Sequence, residues 1–207
     1  GTSSRIVFGA TRIERCGRAK IRGIECPAGE HTPDFWSSVE EWRDGMQTFE
    51  EALIDQCAPT LAGIKPANLF RFRAECTSAR DAAALWDRKL EGFGIEVRIL
   101  KEYPSVGASM VYVCRGNWVL QLLKNWEISA FLSNMGYQMC EDMAAMLDQL
   151  SARFGSESKF PHEMGVFLGY PLRDVMGFLE HQGRDEVCCG CWKAYGDPEC
   201  AERYFAC

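Results

Sequence analysis

Between Phe160 and Tyr195 the chain gathers more chemically capable side chains than any comparable window: His162, Glu163, Cys188, Cys189, Cys191, Trp192 and Lys193. Pro161 suits the first position of a helix, which puts His162 and Glu163 in its first turn. The positive end of the helix dipole there favours ionised Glu163 and disfavours imidazolium at His162. Neutral imidazole is the form that ligates a metal or acts as a general base. No second histidine stands four residues on, at Val166, so the zinc-protease spacing is absent. A polar first turn that only caps a helix competes with the chemical reading. Cys188 and Cys191 make a single CxxC, half of a structural zinc set, with Cys200 and Cys207 as the further thiols to complete it. On a strand, Cys188 and Cys189 point to opposite faces, one into a core and one outward. Trp192 and Lys193 alternate in the same way, as a ligand platform or as an ordinary amphipathic strand.

Cys57 is a second candidate nucleophile, beside His162, Glu163 and Cys189. It falls in the last turn of a helix, where the negative dipole end raises a thiol's pKa. Lys65 offsets that effect if the intervening turn brings it near. The plainer reading is a buried structural cysteine. Thr60, Gly63 and Lys65 have the chemistry to hold an anion, but their spacing is not that of a phosphate-binding loop. A structural turn is the simpler account of residues 57–72.

The elements that must position these groups follow from periodicity. Thr48 and Glu51 form a capping box, and Phe49, Leu53 and Cys57 share a helical face, with an end expected near Ala58 before Pro59. Ser78 and Asp81 open a second helix expected to bury Ala82, Leu85, Trp86 and Leu90. Ile95, Val97 and Ile99 alternate with polar residues as a strand, and Met110–Cys114 predicts an antiparallel partner. Helices are expected over 117–134, 140–154, 161–168 and 171–183, and a last one from Asp197. This pattern predicts an α+β fold, several short helices packed on a small antiparallel sheet. The two helices joined by Gly-Tyr-Pro resemble a helix-turn-helix, but Arg173, Asp174 and Glu180 are poor DNA-reading residues.

The 207 residues carry a net charge of −6, which argues against nucleic acid as partner. Residues 1–45 hold equal numbers of acidic and basic residues, so the deficit belongs wholly to 46–207. The first segment is expected as a poorly structured extension, either a basic interaction tail or translated leader preceding a start at Met46. Glu41-Trp42-Arg43 is consistent with a ribosome-binding stretch in the coding DNA. Residues 46–207 are expected to form a single domain. The lack of an 18-residue apolar run or an export signal predicts a cytoplasmic protein with no membrane contact. The eleven cysteines are then reduced thiols by default.

The segments DQCAPTLAGIKPANLF, FPHEMGVFLGYPLRDVMGFLE and CCGCWKAYGD resemble a family of uncharacterised bacterial proteins common in anaerobic Firmicutes, known as a domain of unknown function. The resemblance runs from Phe49 to Phe205 and implies a bacterial cytosolic domain without implying an activity. The family pattern carries an aromatic residue at the position of Cys191, as in CCGYWKVY. That removes the CxxC from any shared zinc site and leaves the Cys188–Cys189 pair. Two functional readings follow. The first is a thiol- and histidine-based metal-binding or redox protein, with His162, Glu163, Cys188, Cys189 and Cys191 as ligands for zinc or iron. The alternative is a non-catalytic adaptor or regulatory module with a protein partner. A hydrolase or transferase pairing Cys57 with His162 ranks third. Lys65, Trp192 and Lys193 are the candidate cofactor-binding residues.

Overall fold

Seven consecutive residues, Ala108–Cys114, are all buried, and a strand of that kind needs cover on both faces. The computed structural model describes residues 47–73, 78–154, 160–189 and 192–196, with Cys188 and Cys189 described by backbone. In chain order its elements are α1 (Phe49–Leu61), β1 (Ala67–Arg73), α2 (Ala79–Leu90), β2 (Glu96–Tyr103), β3 (Ala108–Cys114), α3 (Gly116–Leu123), α4 (Trp126–Asn134), α5 (Met143–Arg153), α6 (Met164–Phe167), α7 (Leu172–His181), β4 (Cys188–Cys189) and β5 (Lys193–Ala194). β3 runs between β1 and β2, antiparallel to both. Met110, Tyr112 and Cys114 face a larger core with Ala67, Leu100 and the apolar sides of α3 to α7. Val111 and Val113 face the opposite way, against Phe70, Phe72 and Val97 under α1 and α2. The fold is α+β, helices on both faces of a small antiparallel sheet.

The capping box is formed: the Thr48 hydroxyl accepts from Glu51 N while Glu51 accepts from Thr48 N. The helix does not stop before Pro59, however, but continues to Leu61. Proline inside a helix removes one donor and crowds the carbonyl four residues back. Here the cost is confined to the last turn, and a distant residue closes it. Arg115 donates to Thr60 O at 2.9 Å and Leu61 O at 3.0 Å, supplying the cation that the helix's own last turn lacks. Gly63, at φ +73°, then reverses the chain.

The segment expected as a turn contains β1, because Ala67 and Leu69 pack into one core and Phe70 and Phe72 into the other. The helix expected over 117–134 divides at Asn125, whose side chain accepts from Glu127 N at 2.9 Å and so starts α4. Asp142 caps α5 in the same way, moving its start from 140 to Met143. Ser78 occupies the cap position of α2 without a side-chain hydrogen bond, and Leu85 is exposed rather than buried. The helix expected from Pro161 is a turn followed by the four-residue α6. Among the described residues, no helix is long and apolar enough to cross a membrane. The expected extension over 1–45 and the helix expected from Asp197 lie outside the described residues.

Candidate functional site

Three segments far apart in sequence meet beside Tyr170. Gly169, at φ +82°, turns the chain out of α6, and a Cβ there would lie 2.3 Å from Pro66 Cγ. So close an approach brings the Lys65–Pro66 turn against Gly169–Tyr170. Lys65 Nζ lies 4.9 Å from the centre of the Tyr170 ring, within cation–π range. The other neighbour of Tyr170 is Trp192, stacked at 4.7 Å between centroids and 23° between planes. Trp192 Nε1 donates to Asp174 Oδ2 at 2.8 Å, and Tyr195 N and Gly196 N each donate to Asp174 Oδ1 at 2.9 Å. Asp174 is buried, and charge-assisted hydrogen bonds of this kind are what make a buried carboxylate tolerable. Gly177 completes the lock, since a Cβ there would lie 2.4 Å from Tyr195 Cβ. Lys65 and Trp192 are therefore brought together, as two sides of a packed joint.

His162 and Glu163 are neighbours with separate surroundings. Glu163 is buried, accepting from the Tyr137 hydroxyl at 3.2 Å and facing Arg153 Nη1 at 3.5 Å. The Arg153 guanidinium also lies over the Tyr137 ring at 4.1 Å. Burial and then the Glu163 charge push the Tyr137 hydroxyl far above its ordinary pKa, which keeps it a proton donor. The His162 ring instead packs near those of Phe178 and Phe160, at 4.8 and 5.8 Å. The first-turn geometry expected for the pair is replaced by a turn, with Glu163 at the N-cap of α6 and no side-chain capping bond.

Lys193 Nζ donates to Gly183 O at 2.6 Å and approaches Glu186 at 3.5 Å, pinning the loop between α7 and β4. The ammonium is thereby engaged within the fold. Cys188 and Cys189 pair through β4 with Ala194 and Lys193. Their side chains, and Cys191 altogether, lie outside the described residues. Among the described residues no three His, Cys, Asp or Glu side chains form a group able to hold a metal ion.

Lys65 does act on Cys57, lowering its pKa, but burial dominates and pushes the thiol up to about 12. Cys114 is pushed up further, again chiefly by burial, whereas Cys140 is exposed. At pH 8 the Cys57 thiolate fraction is then about 1 in 10,000, because each pKa unit is a factor of ten. Iodoacetamide at pH 8 is expected to alkylate Cys140 in the native protein and to spare Cys57 and Cys114 until denaturant is added. Peptide mapping by mass spectrometry reads this directly, and rapid native modification of Cys57 would restore it as a nucleophile.

A second cluster surrounds Arg115, to which the sequence motifs give no pointer. Besides capping α1, Arg115 donates to Phe93 O at 3.4 Å and lies 5.2 Å from the Trp118 ring centre. The residues adjoining it leave large apolar side chains in solvent: Phe93 is 70% exposed, Ile64 57% and Trp118 45%. Beside them opens a pocket of about 330 Å³ lined by Asp87, Glu91, Glu96, Arg98, Gly116 and Asn117, among others. The Glu96 carboxylate sits where a Cβ on Gly116 would be, 2.1 Å from that position. Burial raises the pKa of Glu96, and repulsion from Asp87 and Asp142 adds to it, against the lowering effect of Arg98. Two local signals were available in the sequence. Phe93 stands between Gly92 and Gly94, and Trp118 stands just before the buried stripe of Val119 and Leu123.

Neither the curated proteins nor the solved structures contain a match to the chain. A family model does match, over residues 53–207, and its description is "Protein of unknown function (DUF3793)". The matched span takes in all three interlocked segments and the Arg115 cluster, and the chain belongs to the DUF3793 family.

Proposed function

We propose that this protein is a non-catalytic protein-interaction module, and that Phe93, Trp118 and Ile64 around Arg115 form its working surface. The observation that supports this most is the contrast between the motifs and that surface. Asp174, Trp192, Lys193, Glu163 and Cys57 are engaged or buried within the fold, while three large apolar side chains around one arginine stand in solvent. Neighbouring exposed apolar groups are costly to leave uncovered and commonly mark contact surfaces. Tryptophan and arginine are also the residue types that carry most binding energy where interfaces form. The guanidinium is held by three carbonyls, so little side-chain freedom remains to be lost on contact.

A photo-crosslinking residue placed at Phe93, and separately at Trp118, is expected to capture the same polypeptide in cells that make this protein. The same residue at the exposed Val106 or Val187 is expected to miss it. Different captures from the two positions, or none, would remove the proposed surface. The rival reading of zinc or iron at His162, Glu163, Cys188, Cys189 and Cys191 is tested in parallel by metal analysis of protein purified without oxygen or chelator. Stoichiometric metal that disappears in a Cys188→Ser, Cys189→Ser double variant would overturn the module reading in favour of that site.

A further inference from the structure

We infer that the segment this surface binds is a cationic peptide stretch of a partner protein, with a lysine or arginine entering the acidic pocket and an adjacent large apolar side chain lying on Phe93 and Trp118. The inference rests on the interaction-module reading and specifies its partner. Its basis is continuity. Glu91, Gly94, Ile95, Glu96, Gly116 and Asn117 line the pocket, and the exposed Phe93 and Trp118 are their immediate chain neighbours, which puts both rings within reach of a short extended segment that enters it. The described lining offers three carboxylates, Asp87, Glu91 and Glu96, against the single cation Arg98, which stands 4.0 Å from Glu96. Asp142 adds a fourth negative charge within reach of Glu96.

Arg115 does not spoil this balance. Its guanidinium donates to carbonyls at the C-terminal end of α1 and at Phe93, where the negative pole of the helix offsets its charge. A partner's ammonium or guanidinium beside Phe93 also gains from the face of that ring, while Trp118, whose centre lies 5.2 Å from the Arg115 guanidinium, offers apolar contact. The excess of acidic residues over 46–207 favours approach of a cationic segment at low salt. Gly116 lets the Glu96 carboxylate take its present place, since a side chain there would have to move that carboxylate aside.

The test uses the full chain and three pools of fluorescein-labelled nonapeptides, read by anisotropy. One pool combines Lys or Arg with Leu or Phe, a second replaces the bases with Asp or Glu, and a third keeps the bases but replaces Leu and Phe with Ser and Gly. Only the first pool is expected to bind. Its affinity should fall about tenfold in a Glu91→Gln, Glu96→Gln double variant and by a similar factor in Phe93→Ala, as for loss of a central contact. Glu91→Lys is the second charge variant, since Glu91 is exposed and its replacement leaves the packing of Glu96 intact. Binding of the acidic-apolar pool, with loss in Phe93→Ala, would overturn the cationic partner and leave the module reading standing. Equal binding of the basic-polar pool, or binding indifferent to these substitutions, would also overturn it. If no pool binds while Phe93 and Trp118 still crosslink one polypeptide, the inference fails alone; if those crosslinks fail too, both readings fall.

Discussion

Replacing Asp174 with alanine is expected to cost about 3–5 kcal/mol of folding stability, the range for removing the acceptor of a buried hydrogen-bonded charge. The cost arises from what the carboxylate leaves behind. Trp192 Nε1, Tyr195 N and Gly196 N all point at it, and the indole belongs to a buried residue. Water can reach the half-buried backbone groups more readily than the indole, so the loss should stop short of three full hydrogen bonds. Domains of this size are commonly stable by about 5–15 kcal/mol, so the variant would lose a large share of its margin. Urea unfolding followed by both far-ultraviolet circular dichroism and tryptophan fluorescence measures the change. Asp174→Asn separates charge from shape. Its amide oxygen can serve either the backbone donors or the indole, but its NH2 then faces the remaining donor side. An intermediate loss is expected for asparagine. A wild-type midpoint in Asp174→Ala would mean that the 192–196 segment is not held by this residue.

This role for Asp174 was not legible in the sequence, where the residue stood out only as a poor DNA reader. Its partners lie at least 18 positions away, and no local pattern announces which polar residue a tryptophan will reach. The β2–β3 hairpin was legible because Ile95, Val97 and Ile99 alternate with polar neighbours and one face of β2 is partly open. β1 was hidden by the same physics acting in reverse. With cores on both sides, Leu69 and Phe70 are adjacent apolar residues that face opposite ways, so the period of two disappears.

Pro59 gave a sound local signal that a distant residue overrode. Pro59 removes one helix donor and crowds the turn before it, but that cost falls near the helix end, where the carbonyls of the added turn find donors in Arg115 at the far end of β3. The candidate site was partly legible in a similar sense. Whether Lys65 comes near Cys57 was left open by the sequence, since it depends on how the intervening turn folds; Lys65 does lower the thiol's pKa, and burial, a property of the whole fold, outweighs it. The exposed cluster was harder still. That Phe93 and Trp118 stay in solvent depends on which helix faces the sheet leaves free, and composition carries no record of that.

The second large loss is expected where the Lys65–Pro66 turn meets Gly169, in Gly169→Ala. Two costs combine there. An L-residue in the left-handed region, at φ +82°, costs about 1–2 kcal/mol, and a methyl group forced into packed surroundings costs roughly 1–3 kcal/mol more. The contact is with Pro66, whose Cγ and Cδ would lie 2.3 and 3.0 Å from the new Cβ. A proline ring has little freedom to turn aside, and the Pro66 carbonyl is held by Arg115 N at 2.8 Å. Strain at Gly169 should therefore pass into the start of β1 and the Lys65–Tyr170 contact. Gly94→Ala is the matched control, since Gly94 has φ +68° but nothing within 4 Å of its missing Cβ. It carries the backbone penalty without the collision. Urea unfolding is expected to place Gly169→Ala about 1–3 kcal/mol below Gly94→Ala, the difference being the packing cost alone. Equal losses in the two variants would show that Pro66 yields freely and that the motifs meet without locking. A large difference would make the Pro66–Gly169 approach a principal constraint on both segments.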